Sequence, residues 1–134
     1  MAAQTDFWGE IVPACLERTP LAIMREQASL LGTKTKNLVE ATVDTSVDPN
    51  GQFVHRFTLV VPSLSSYKYV LFWIQHGIAV YPISIPTELA VRLDTEQEFT
   101  DWLHRKLSSA ETRKIVGNLL AQATDAAWVS VRLL

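Results

Sequence analysis

Three histidines (His55, His76 and His104) and one cysteine (Cys15) are the side chains of this chain best suited to metal or nucleophilic chemistry. No two of them lie three or four residues apart, so no helical pair of ligands of the usual kind is present. His55 and His76 fall on neighbouring predicted strands and can meet across a sheet, where the expectation is a packed, neutral pair and not a metal site. Cys15 stands among Val12, Pro13, Ala14 and Leu16, without a neighbouring base to make a thiolate; apolar packing is the expectation there. The chain contains no G-x-S-x-G elbow, and its five glycines are scattered singly, which removes dinucleotide and P-loop fingerprints. Glu96, Glu98 and Asp101 cluster at a helix start, where the helix dipole accounts for them without acid–base catalysis. From these residues we expect no catalytic centre, metal or cofactor, and no particular reaction is indicated.

Two other constellations bear on binding. Arg105, Lys106, Arg113 and Lys114 surround the junction of the last two predicted helices, a loose helix–turn–helix whose second N-terminus is where base-reading side chains sit. The formal net charge of −2, the short turn and the lack of a basic arm count against nucleic acid as a partner. The second constellation is aromatic. Tyr67, Tyr69, Phe72 and Trp73, with Tyr81 beyond, cannot all face one core. Tyr67, Tyr69 and Trp73 are the expected interface anchors, because Tyr and Trp combine large contact area with a polar handle.

The elements that must position these residues are readable from periodicity. Thr5 and Asp6 precede a short apolar stretch, Phe7 to Val12, read as a first helix ended or kinked by Pro13. Thr19-Pro20 has the residue types of a cap and first helical position, and apolar residues follow at helical spacing to a stop at Gly32. Four strands are expected between Asn37 and Ile85, with a turn at Asp48-Pro49-Asn50-Gly51. In the third, Tyr67, Tyr69, Leu71 and Trp73 share one face against Val70, Phe72 and Ile74. The fourth runs from about Ile78 to Ile85, with Pro82 favouring a sheet edge. Capping boxes at Thr95 and Ser108 start two C-terminal helices. Trp128 to Leu134 alternates in a way that suits a fifth strand.

The expected fold is therefore one α+β domain spanning residues 1–134. It is an antiparallel meander of four or five strands, with two N-terminal and two C-terminal helices mainly on one face. Hydrophobic residues make up 48% and charged residues 19%, ample apolar surface to offset the entropy of ordering. The lone cysteine makes no internal disulfide, the first ten residues lack the features of a signal peptide, and no apolar run is long enough to span a bilayer. A cytoplasmic, soluble protein is the expectation. The leading functional reading is a non-catalytic protein–protein interaction module: a homodimer, or a small regulatory, inhibitory, immunity- or antitoxin-like subunit. A small-molecule site between sheet and helices, with His55 or Arg56 as its polar group, is the first alternative. A weak nucleic-acid binder using the basic junction is the second.

Overall fold

Threonine at position 19 followed by proline at 20 starts the first helix, α1 (Pro20–Lys34), where the Thr19 hydroxyl accepts the Ala22 N–H at 3.3 Å. In the computed structural model, which describes residues 5–88 and 91–133 (residues 128–133 as helical backbone only), five strands follow. They are β1 (Glu40–Val47), β2 (Phe53–Val61), β3 (Tyr67–His76), β4 (Ile83–Ser84) and β5 (Arg92–Leu93). Two helices, α2 (Glu96–Leu107) and α3 (Ala110–Leu133), complete the chain. The sheet is an antiparallel meander in the order β1-β2-β3-β4-β5, an α+β arrangement.

Alternation along β2 divides the sheet. Phe53, His55, Phe57, Leu59 and Val61 share the inner face, and Val54, Arg56, Thr58 and Val60 the outer, on which Val54 and Thr58 are buried as well. The inner face joins Ile23, Met24 and Ala28 of α1, Phe99, Trp102 and Leu103 of α2, and Leu119 and Ala123 of α3 in one core. Its centre is aromatic: Phe57 stacks on Phe72 at 5.2 Å between centroids, and Phe72 meets the Trp102 edge at 5.2 Å.

Several expectations need correction. Residues 7–12 form no helix: Gly9 takes a left-handed φ of +67°, Pro13 denies the Gly9 carbonyl a partner, and so short a stretch cannot offset helix nucleation. The chain therefore has three helices in its described residues, not four. Gly32 does not stop α1, which runs to Lys34; Lys36 and Asn37 supply the left-handed residues, and the Asn37 N–H bonds back to the Gly32 carbonyl at 2.8 Å. The fourth strand is only Ile83–Ser84, because Gly77 to Tyr81 turns tightly and Val80 is left-handed. Pro82 lies outside the ladder, after a cis Tyr81–Pro82 bond, and β4 is internal to the sheet, not an edge. The fifth strand is Arg92–Leu93. Residues 128–133 continue α3, since each adds a bond to a helix already propagating; Leu134 lies outside the described residues.

The third strand departs most instructively. Phe57 pairs with Phe72, but Thr58 pairs with Val70, so Leu71 is the extra residue of a β-bulge. The bulge shifts the alternation by one. Tyr67 and Tyr69, opposite Val61 and Leu59, belong to the inner face, while Trp73, opposite Arg56, belongs to the outer. The expected trio does not share one face.

Candidate docking groove

The larger of two concavities lies between α1, α2 and α3 over the inner face, above the buried Phe57 and Leu59. Phe57, Leu59 and the bulged Leu71 form its floor, Ile23, Leu30 and Leu31 one wall, and Leu103, Leu107 and Val116 the other; the space is about 730 Å³. Helical spacing builds the first wall: Ile23, Gln27, Leu30 and Lys34 recur every three or four residues along one side of α1. The bulge supplies the floor, because it turns Leu71 toward the helices instead of away from them. At the rim stand Gln27, Lys34, Thr100, His104 and Arg113, and no carboxylate lines the space among the described residues. The groove is apolar within and cationic at its edge. A smaller hollow of about 460 Å³ lies by the β3–β4 connection, lined by Gln75, Tyr81, Pro82 and Arg92 among others.

The opposite end of the inner face is closed by a polar chain. His55 and His76, 4% and 8% exposed, approach Nε2 to Nε2 at 2.8 Å. The Gly77 carbonyl can only accept, so His76 Nδ1–H donates to it at 2.7 Å. In the neutral pair that leaves His76 Nε2 as acceptor for His55 Nε2–H, and His55 Nδ1 accepts the Thr45 hydroxyl at 2.8 Å. Every ring nitrogen is satisfied. Burial, then the charges of His76 and Arg25, push His55 down from 6.5 to about 4. No group of three metal-ligating side chains occurs among the described residues.

Beside this closed end the chain is clasped. Arg18 N–H donates to Glu96 Oε1 at 2.6 Å, and Glu96 N–H donates to Glu17 Oε2 at 2.7 Å, which sets acids against the positive end of α2. Tyr81 OH donates to the Arg18 carbonyl at 2.7 Å; burial, with Glu17 and Glu96 nearby, pushes that phenol up to about 12. Cys15 is half-buried, with its Sγ 3.2 Å from the Glu17 carbonyl. Its apolar neighbours Val12 and Leu16 are solvent-exposed, which overturns the expectation of apolar packing.

The residues singled out from sequence are scattered relative to the groove. His55 lies under the closed end, and Arg56 is on the outer face, donating to the Ser46 hydroxyl at 2.9 Å with Asp44 at 3.9 Å; neither lines the groove. Tyr67 and Tyr69 are 47% and 37% exposed, and Trp73 is half-buried among outer-face neighbours. Of the basic cluster, Arg113 reaches the groove rim, while Arg105 and Lys114 are exposed and Lys106 is half-buried. The groove itself was missed because it is a gap between elements. Its one sequence signal is that Ile23 and Leu30 stand beside α1's Met24-Ala28-Leu31 stripe, with the polar Gln27 between them, and widen that helix's apolar arc beyond what one packed face needs.

No helix among the described residues is long and apolar enough to cross a membrane. No family model matches the chain, and neither a curated protein nor a solved structure matches it.

Proposed function

We propose that this protein is a non-catalytic protein–protein interaction module of the cytoplasm, acting as a homodimer or as a small regulatory or inhibitory subunit. The observation that carries the reading is the groove: an apolar trough bounded by three helices, with Lys34 and Arg113 at its edge. Such troughs accept the apolar side of an amphipathic segment, and cations at the rim favour an acidic one. Val70, 43% exposed, and the half-buried Trp73 on the outer face support a second, flatter contact surface.

The test uses capture from native cells with the wild type and two surface variants. Leu30→Glu, in the groove wall, is expected to abolish capture, and Trp73→Glu to weaken it less. Undiminished capture by Leu30→Glu together with loss in Trp73→Glu moves the function to the outer face.

A small-molecule reading is supported by the groove's size, about 730 Å³, within the range that encloses a drug-sized ligand. Its chemistry suits an amphiphile with an anionic head on Lys34 or Arg113. Native mass spectrometry of freshly purified protein detects such a ligand as added mass.

A further inference from the structure

Residues 5–16 are the counterpart of the groove. Phe7, Trp8, Ile11, Val12 and Leu16 are 93, 80, 71, 65 and 99% exposed, five large apolar side chains within ten residues. Scattered exposed apolar residues are ordinary, but a concentration of this kind marks surface that awaits a partner. The same stretch carries Asp6 and Glu10 and no base. The groove offers the complement in both respects, a partly exposed apolar lining (Leu30, Leu71, Leu107 and Val116) and the cations Lys34 and Arg113 with no lining carboxylate among the described residues.

Lengths agree as well. From Ile23 to Lys34 the α1 wall runs about 16 Å at 1.5 Å per residue. The nine steps from Phe7 to Leu16 cover about 14 Å if helical and about 30 Å if extended, so the segment can lie along the whole trough.

The clasp decides which molecule receives it. Glu17 and Arg18 are both tied to Glu96, at the start of α2, and Thr100 of the groove lies one turn further along that helix. With Glu17 and Arg18 pinned in this way, none of the five exposed apolar side chains of residues 5–16 lines the groove of its own chain. Seating them on a neighbour keeps both clasp bonds.

We propose that the groove seats residues 5–16 of a second copy of this chain, giving a two-fold homodimer by reciprocal exchange of N-terminal segments. Because the exchange is self-complementary, it closes at two copies. This rests on the reading of the groove as a docking surface and names its occupant.

The test is a mixing experiment on the full chain. Light scattering at about 100 μM is expected to give a two-chain mass for the wild type. A segment variant, Trp8→Glu with Ile11→Glu, and a groove variant, Leu30→Glu with Lys34→Glu, each lose the dimer but stay folded, with unfolding midpoints that no longer depend on concentration and match that of the wild type diluted to monomer. Mixed in equal amounts they form a one-to-one heterodimer, because one seat and one segment remain intact, and native mass spectrometry reads its composition. If the double groove variant unfolds, Lys34→Glu alone, at an exposed position, is expected to weaken dimerisation about tenfold and to flatten its salt dependence.

A wild type that stays monomeric overturns the proposal, as does a dimer that survives both variants or a mixture with no heterodimer. A monomer whose capture of another protein is lost in Leu30→Glu overturns only the second-copy occupant. A monomer with no groove-dependent capture overturns the docking reading too.

Discussion

The two ends of the sheet's inner face are built from the same strands and end differently. At one end Phe53, His55 and His76 lie beside the chain of bonds running from Thr45 to the Gly77 carbonyl. At the other, Phe57 and Leu59 are buried beneath a trough whose partly exposed apolar lining is Leu30, Leu31, Leu71, Leu107 and Val116. The end that holds the buried histidine pair is the sealed one. Buried polar atoms require partners in fixed geometry, so that end tolerates no second arrangement. The apolar end is under no such constraint, and apolar surface left open costs only the area that a partner later covers. Polar chemistry here holds the structure, and the plain apolar residues are the ones available for binding.

The sharpest way to break this contrast is acid. His55 titrates at about 4 in the folded chain against 6.5 unfolded, so the unfolded state binds more protons between those values. The stability this group contributes is complete above about pH 6.5 and is lost as pH falls toward 4, with a slope of up to about 1.4 kcal/mol per pH unit. Denaturant melts across that window measure it. His55→Gln should flatten this part of the profile; an unchanged profile means His55 is not held neutral by burial.

A smaller effect compares the helix caps at the two ends. At the sealed end the Thr95 hydroxyl accepts the Glu98 N–H at 3.1 Å, and Thr95→Ala should cost about 1 kcal/mol. The Glu98 carboxylate reaches Asp94 N–H at 2.6 Å, one residue before the reciprocal partner a capping box uses. At the groove end the expected cap at Ser108 is displaced. Ser108 is the C-cap of α2, donating to the His104 carbonyl at 2.6 Å, and Ser109 accepts the Thr112 N–H at 3.2 Å. Ser109→Ala should therefore cost about 1 kcal/mol and Ser108→Ala less. Thermal melts that reverse this order return the cap to Ser108.

What could be read from the sequence was local. Thr19-Pro20, Thr95 and the turn in which Asp48 Oδ1 accepts the Asn50 and Gln52 N–H groups at 2.9 Å are each determined by a few adjacent residues. The meander followed from period-two alternation on either side of such turns. The bulge at Leu71 was not legible, because it exists only as a mismatch between two paired strands. It reassigns Tyr67, Tyr69 and Trp73 to different faces with no change in composition. The two-residue β4 and β5 carry no periodicity at all. Of the candidate site, Arg113 was picked out, but as a base-reading residue. The trough around it depends on how far three helices stand apart, which no residue pattern encodes.

The smallest expected effect tests the open end most directly. Leu30 is 44% exposed in the groove wall, so replacing it removes little apolar surface that folding has buried. Leu30→Ser should then change stability by no more than about 0.5 kcal/mol, the ordinary range for a surface position. Leu103, on the opposite wall at 2% exposure, is the control; Leu103→Ala should cost about 2–5 kcal/mol through the cavity it leaves. Urea melts of both variants separate wall from core. If Leu30→Ser is as costly as Leu103→Ala, that wall is already packed in the free protein, the trough is closed in solution, and the apolar end is sealed like the polar one. If it is neutral to folding yet removes the dimer or the captured partner, the energy absent from folding has been found in association.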